Sequence, residues 1–200
     1  MSTQPGTRHN ARGQARREEI VRAAIEVIGE RGYRGASLAV VAEKAGLTQQ
    51  GLLHYFPRKE DLLIGVLQLR ERWDTGGRDI IAEPMTMSAT AGVVEANAHR
   101  EAIVRTFSAL LGESVTEDHP ASDYFKQRYR RVREAIAATL RHEWGDRLPS
   151  GLTPEEVAPL LVAIMDGLQF QWLHEPENFD MPAAFRAFVR LLDPEAETGR

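Results

Sequence analysis

The sequence predicts an all-α protein on three observations. Almost every strongly patterned stretch spaces its apolar residues for a helix, no clean alternating run of the strand type occurs, and Gly- and Pro-rich joints divide the chain at helix-sized intervals. Residues 1–13, with Pro5, Gly6 and Gly13 and no apolar period, read as an arm. From 16 to 31, Ile20, Ala23, Ala24, Val27 and Ile28 fall on one face of an amphipathic helix, and Gly32 stands where a left-handed C-cap belongs. Ser37 is an N-cap for a short helix bearing Leu38, Val41, Ala42 and Ala45, closed by Gly46. Thr48 caps a second short helix that runs through Leu52 and Phe56 to Pro57. A longer helix follows over about 58–74, with Leu62, Leu63, Val66, Leu67 and Leu69 as its apolar positions. Beyond a break at Gly76, Gly77, Pro84 and Met85, helices are expected over about 90–115, 122–145, 154–174 and 181–193. The predicted division is a flexible basic arm over 1–14, a helix-turn-helix domain over 15–60 and a helical bundle domain over 61–200.

Composition removes several classes of function. A chain of 200 residues, 42% hydrophobic and 27% charged, can bury a core unaided and is not globally disordered. With no cysteine it has no disulfide, no thiolate nucleophile and no Cys-based zinc or iron–sulfur site. No apolar run approaches the roughly 18 residues of a membrane span, and the polar, basic start lacks the apolar core of a signal peptide, so a cytoplasmic protein with no membrane partner is expected. The six histidines show no metal-ligand spacing, and neither a phosphate-binding Gly-rich loop nor a nucleophile elbow occurs. An enzyme, a metal centre and a bound cofactor are therefore not expected.

Charge is divided unevenly. Residues 1–60 hold 10 Lys+Arg against 6 Asp+Glu, whereas residues 61–200 hold 15 against 23, and the whole carries −4. The modest acidity of the average conceals a basic first third, suited either to a polyanion or to a solvated face.

The local sequence favours the polyanion. In residues 38–56, LAVVAEKAGLTQQGLLHYF, two short helices meet at Ala45-Gly46-Leu47-Thr48, a helix-turn-helix whose second helix is built to enter a DNA major groove. Its first turn offers Thr48, Gln49, Gln50 and Gly51; Gln can pair bidentately with adenine, and Thr can reach a phosphate or base edge. Gly51 costs about 1 kcal/mol in a helix, a cost explained if backbone and DNA approach closely there. His54 and Tyr55 bring polar tips one turn further on, and Ser37 stands at the head of the first short helix. Lys59 opens the helix after Pro57, at the positive end of its macrodipole; a docked phosphate would give that unfavourably placed cation a partner. Arg8 and Arg12 either follow a minor groove or form an uncommitted basic tail.

The run from 16 to 63 resembles the N-terminal domain of the TetR family of bacterial transcriptional regulators. The resemblance is carried by Ala23-Ala24, by GYRGASL at 32–38 and by VAEKAGLTQQGLLHYFPRKEDLL at 41–63. It implies that the first three helices bind DNA, through Thr48, Gln49, Gln50, Gly51, His54, Tyr55 and Lys59. It also implies that a divergent helical C-terminal domain dimerises and binds a small molecule. One position departs: Leu53 stands where the family usually carries a backbone-contacting tyrosine. EDHPASDYFKQRY at 117–129 and LVAIMDGLQFQWL at 161–173 are similar to a subset of the family from high-GC bacteria.

The C-terminal half is less explicit. Val157, Leu161, Ile164, Leu168 and Trp172 make one stripe, and Phe185, Phe188, Val189 and Leu192 another. These stripes form either the protomer's core or a four-helix homodimer interface crossing near Gly167, and the resemblance favours the dimer, which suits readout of a pseudo-palindrome. Candidate ligand contacts are Trp73, Phe107, Tyr124, Arg128, Asp166 and Gln169, with Trp172 also considered. Asp166, a carboxylate in an apolar stretch, needs a partner: a ligand, an arginine such as Arg105 or Arg128, or the dimer mate. The function expected is a repressor released from its operator by a small molecule. The alternative is a DNA-binding regulator without such an inducer, controlled by a protein partner or acting as an activator.

Overall fold

A computed structural model describes residues 5–116 and 118–193, and side chains from residue 12 onward. Among the described residues there are nine helices and no strand: α1 (Pro5–Gly35), α2 (Leu38–Lys44), α3 (Gln49–Tyr55), α4 (Lys59–Thr75), α5 (Met87–Ala98), α6 (Glu101–Ser114), α7 (Ser122–Trp144), α8 (Pro154–His174) and α9 (Met181–Leu192). None is long and apolar enough to cross a membrane.

The first three helices form one unit around Ile20, Ala24, Val41, Leu52 and Phe56, all buried. Its boundaries follow from local chemistry. Ser37 Oγ accepts from the Val40 amide and Thr48 Oγ1 from the Gly51 amide, each satisfying an orphan donor at a helix start. Between α2 and α3, Gly46 adopts a φ of 64°, a left-handed corner that a side chain would strain. Gly32 likewise has a φ of 68°, and there α1 kinks before its last turn.

The remaining helices wrap a second core through Leu63, Leu67, Val104, Leu110, Leu140, Leu161 and Phe185. Helix α7 packs along α8, α9 against α5 and α8, and α1 against both α4 and α6. The two halves thus share α1 and α4, and at their seam Thr106 of α6 is fully buried with its hydroxyl on α1.

Two expectations need correction. The stretch read as an arm is helical from Pro5, because proline fits the first turn of a helix and the arginines, alanines and glutamine after it are good helix formers. The helix expected over 90–115 is two: the chain leaves helical geometry at His99 and Arg100 (φ −132°, ψ 48°), and α6 sets off anew from Glu101.

Candidate DNA-binding face and effector cavity

The exposed face of α3 presents Thr48, Gln49, Gln50 and His54 to solvent, with Ser37 exposed at the start of α2. Because Thr48 caps through its oxygen lone pair, its hydroxyl hydrogen is left for an outside acceptor. The Tyr55 ring is half-buried, edge-on to His54 at 5.5 Å.

Two arginines of α1 hold this reading head. Arg16 donates to the Ala45 carbonyl at 3.0 Å, and Arg17 to the Tyr55 carbonyl at 2.6 Å while lying 4.0 Å over the Phe56 ring. Both guanidiniums sit at the negative ends of short helices, α2 and α3, where carbonyls lack intrahelical partners. The adjacent pair Arg16-Arg17 was the available signal in the sequence.

Two further readings of this face change. Lys59 Nζ donates to the Tyr33 carbonyl at 2.5 Å and lies 4.2 Å over the Tyr33 ring, so the cation that lacked a local partner has one within the chain. Burial lowers its pKa, with Glu113 and Glu60 opposing. Gly51 has an internal reason to be glycine: a Cβ there would stand 3.3 Å from the Thr48 cap oxygen. Arg12 is exposed on α1, while the Arg8 side chain lies outside the described residues.

In the second half, α4, α5, α6, α7 and α8 enclose a cavity of about 40 Å³ where charged, amide and aromatic side chains meet Val93, Val132, Val162 and Met165. Arg70 is 3% exposed; its Nε lies 3.3 Å from Asp74 Oδ2, its Nη2 2.9 Å from Gln169 Oε1, and its guanidinium 3.9 Å over Phe107. Arg128 lies 5.0 Å over the same ring and 4.0 Å from Asp74. Opposite them, Tyr129 donates to Asp166 Oδ2 at 2.5 Å. Burial raises the Asp166 carboxyl above its ordinary range, against the Tyr129 bond and the arginines, and burial also pushes the Tyr129 hydroxyl up. Three polar atoms of residues lining this space are buried without a partner within the chain: Arg70 Nη1, Asp74 Oδ1 and Asn97 Oδ1.

A broader groove of about 710 Å³, lined by Leu111, Val115, Phe125 and Lys126 among others, opens to solvent beside the α6–α7 connection. Among the described residues no group of three metal-binding side chains comes together.

Comparison with known proteins agrees with this geometry. Residues 20–66 match the family model for bacterial regulatory proteins of the tetR family, and residues 86–194 match the C-terminal domain of BetI-type transcriptional repressors. The chain belongs to the TetR family. It is a DNA-binding transcriptional regulator, and α2 and α3 are its helix-turn-helix. It is 28% identical over 187 residues to the transcriptional regulator BetI of Paraburkholderia phytofirmans, covering 90% of this chain and 93% of that one. Over 60 residues it is 40% identical to the regulator RutR of Escherichia coli K12, covering 30% of this chain and 28% of the relative. A solved complex of SmeT with triclosan superposes with a TM-score of 0.70 at 17% identity, covering 88% of this chain and 91% of that one, a likeness of fold.

Of the ligand contacts expected for this TetR-family chain, Phe107, Arg128, Asp166 and Gln169 line the polar cavity together. Trp73 does not: it lies on another groove, flanked by Arg22 at 5.0 Å and Arg100 at 5.5 Å. Tyr124 donates to Glu71 at 3.2 Å and packs edge-on to Phe125, outside the cavity; burial pushes its hydroxyl up to about 12. Asp166 takes Tyr129 as its hydrogen-bond partner, while Arg105 pairs with Glu101 on the surface. Arg70, Asp74 and Asn97 were missed. Arg70 and Asp74, one turn apart on α4, were the available signal, since an i, i+4 pair straddling an apolar stripe is easily taken for a solvated one.

The interface stripe also divides. Val157, Leu161, Trp172 and Phe185 are buried in the protomer's own core, because that edge of α8 and α9 faces the other helices of the same chain. Ile164, Leu168, Phe188 and Val189 are half-exposed, and Leu160 at 54%, Phe170 and Leu191 at 72% stand open on the same two helices.

Proposed function

We propose that this TetR-family chain is a homodimeric repressor that reads a pseudo-palindromic operator and lets go of it when a small molecule occupies the cavity between α4 and α8. The observation that carries this reading is the pairing of an exposed α3 face, held by Arg16 and Arg17, with a buried cavity lined by charged and amide side chains, three of whose polar atoms have no partner within the chain. Thr48, Gln49, Gln50, Gly51 and His54 contact DNA, with Ser37, Tyr55 and Arg12 beside them; Gln49 and Gln50 read bases, and the hydroxyls and His54 position the backbone.

Dimerisation uses the outer edges of α8 and α9. Leu160, Ile164, Leu168, Phe188 and Leu191 offer an apolar surface of the kind a four-helix interface buries, and a second copy doubles the bases read. On α8, a Cβ at Gly167 would meet no packed neighbour within 4 Å beyond the backbone of its own helix, room for a crossing helix.

Release follows from differential affinity. A ligand that binds better to one arrangement of α4 and α6 favours it, and both helices pack on α1, which carries the reading head. The test is selection of bound fragments from sheared genomic DNA by the purified protein at fixed, near-physiological salt. Recurrent recovery of one short pseudo-palindrome supports the reading; sequence-blind recovery overturns it.

A further inference from the structure

Leu53 contributes nothing to the packing of the reading head. Among the apolar side chains of residues 47–56, Leu47, Leu52, Tyr55 and Phe56 belong to the core or pack against it. Leu53 is half-buried and does neither. Its angle on α3 is the reason. Leu52 and Phe56, one turn apart and fully buried, mark the face turned to the core. Leu53 follows Gln50 by three residues and Gln49 by four, so it lies between these two exposed side chains on the outward face. The exposed His54 stands next to it.

A leucine in that position differs from its neighbours in what it can recognise. It neither donates nor accepts a hydrogen bond, so a phosphate gains nothing from it. Pressed against the amine of cytosine or adenine, or against the acceptors of guanine, it would strip water from a polar edge and put no bond in its place. The major groove offers one apolar group among the four bases, the C5-methyl of thymine. Against that methyl the leucine side chain buries apolar surface on both partners, which is favourable. One side chain therefore both selects for thymine and selects against the other edges.

We propose that Leu53 is a specificity-determining residue, which reads a thymine in each operator half-site through the C5-methyl. The four residues from Gln49 to Leu53 rise about 6 Å along α3. A base step is about 3.4 Å, so the thymine lies within about two base pairs of the pair that Gln49 reads. Glutamine takes adenine bidentately, so the two residues together call for neighbouring A·T pairs, and the methyl fixes which strand carries the thymine. The assignment rests on the reading of α3 as the helix that enters the major groove.

The test starts from duplexes that the full-length protein selects out of a random-sequence pool. The selected duplex is then synthesised with uracil in place of thymine at each position in turn; uracil pairs as thymine does and lacks only the methyl. At one thymine of each half-site, uracil is expected to weaken binding by about fourfold, the effect of one buried methyl. Leu53→Ala is expected to bind the thymine and uracil forms of that position alike, with an unchanged melting temperature, because Leu53 is outside the core. Where Leu53→Ala binds too weakly to compare, Leu53→Met is expected to keep the preference for thymine and Leu53→Gln to lose it. A thymine preference that survives Leu53→Ala at every position overturns the assignment, as does a selected duplex that tolerates uracil throughout. In both cases the selected sequence leaves α3 standing as the reading helix. Selection of no common sequence overturns that reading, and the role of Leu53 with it.

Discussion

Thr106 Oγ1 lies 2.8 Å from the Ile25 carbonyl and 2.8 Å from the carbonyl of Ala102 in its own helix, with no exposure to solvent. This hydroxyl bridges α6 of the effector half and α1 of the DNA-binding half. Thr106→Val keeps the shape and removes the donor. The expected outcome is a loss of about 1 kcal/mol of stability in denaturant melts and a smaller effect of ligand on operator affinity. A variant whose ligand response is intact would place the coupling elsewhere on the α1–α6 contact.

Arg17→Ala is expected to cost about 1.5–3 kcal/mol, because it removes a charge-assisted bond to the Tyr55 carbonyl and uncovers one side of Phe56. DNA binding should fall alike on all sequences, since α3 is then less well held. A change confined to particular base pairs, seen by competition binding, would instead make Arg17 a reader.

Gln49→Ala is expected to relax preference at one or two base positions, at about 1–3 kcal/mol each. Binding to a library of operator variants checks it; an equal loss on every sequence would make Gln49 a positioning residue.

Lys59→Ala separates two roles. The bond to the Tyr33 carbonyl and the contact with its ring lead us to expect a lower melting temperature and an unchanged salt dependence of DNA affinity. A salt slope flatter by about one unit would restore Lys59 to the phosphate contacts.

His119 gives an acid limit. The Ala121 amide donates to its Nδ1 at 3.2 Å, so the neutral ring carries its hydrogen on Nε2, 3.8 Å from Glu113 Oε2. Burial holds its pKa below the ordinary 6.5; Glu113 opposes the shift, Arg34 adds to it, and the Tyr33 ring lies edge-on. The unfolded chain thus takes up the proton first. The stability contributed is present above pH 6.5 and is lost as the pH falls below it toward the folded value. Melting temperatures across that range should decline more steeply for the native chain than for His119→Gln.

The DNA-binding half was legible because its signals are local. Ser37 and Thr48 cap, Gly46 turns, and Leu52 and Phe56 bury, each within a few residues of its partner. The polar cavity was legible only in part, since its members come from five helices and pair over distances such as the 99 positions between Arg70 and Gln169. Period alone could not separate Leu161, which faces the core, from Leu160, which faces outward. The α5–α6 break left no mark because Asn97, His99 and Arg100 fit a helix passably.

The two arginine clamps sit on consecutive residues of α1, and Ile25, where α6 takes hold, lies further along the same rod. If ligand binding displaces α6, such a rod would act as a lever: a nudge at Ile25 would swing Arg16 and Arg17 together, and with them both α2 and α3. The reading head would then move as one piece with its own geometry intact. In a dimer, the quantity that a ligand alters would be the separation of two unaltered heads.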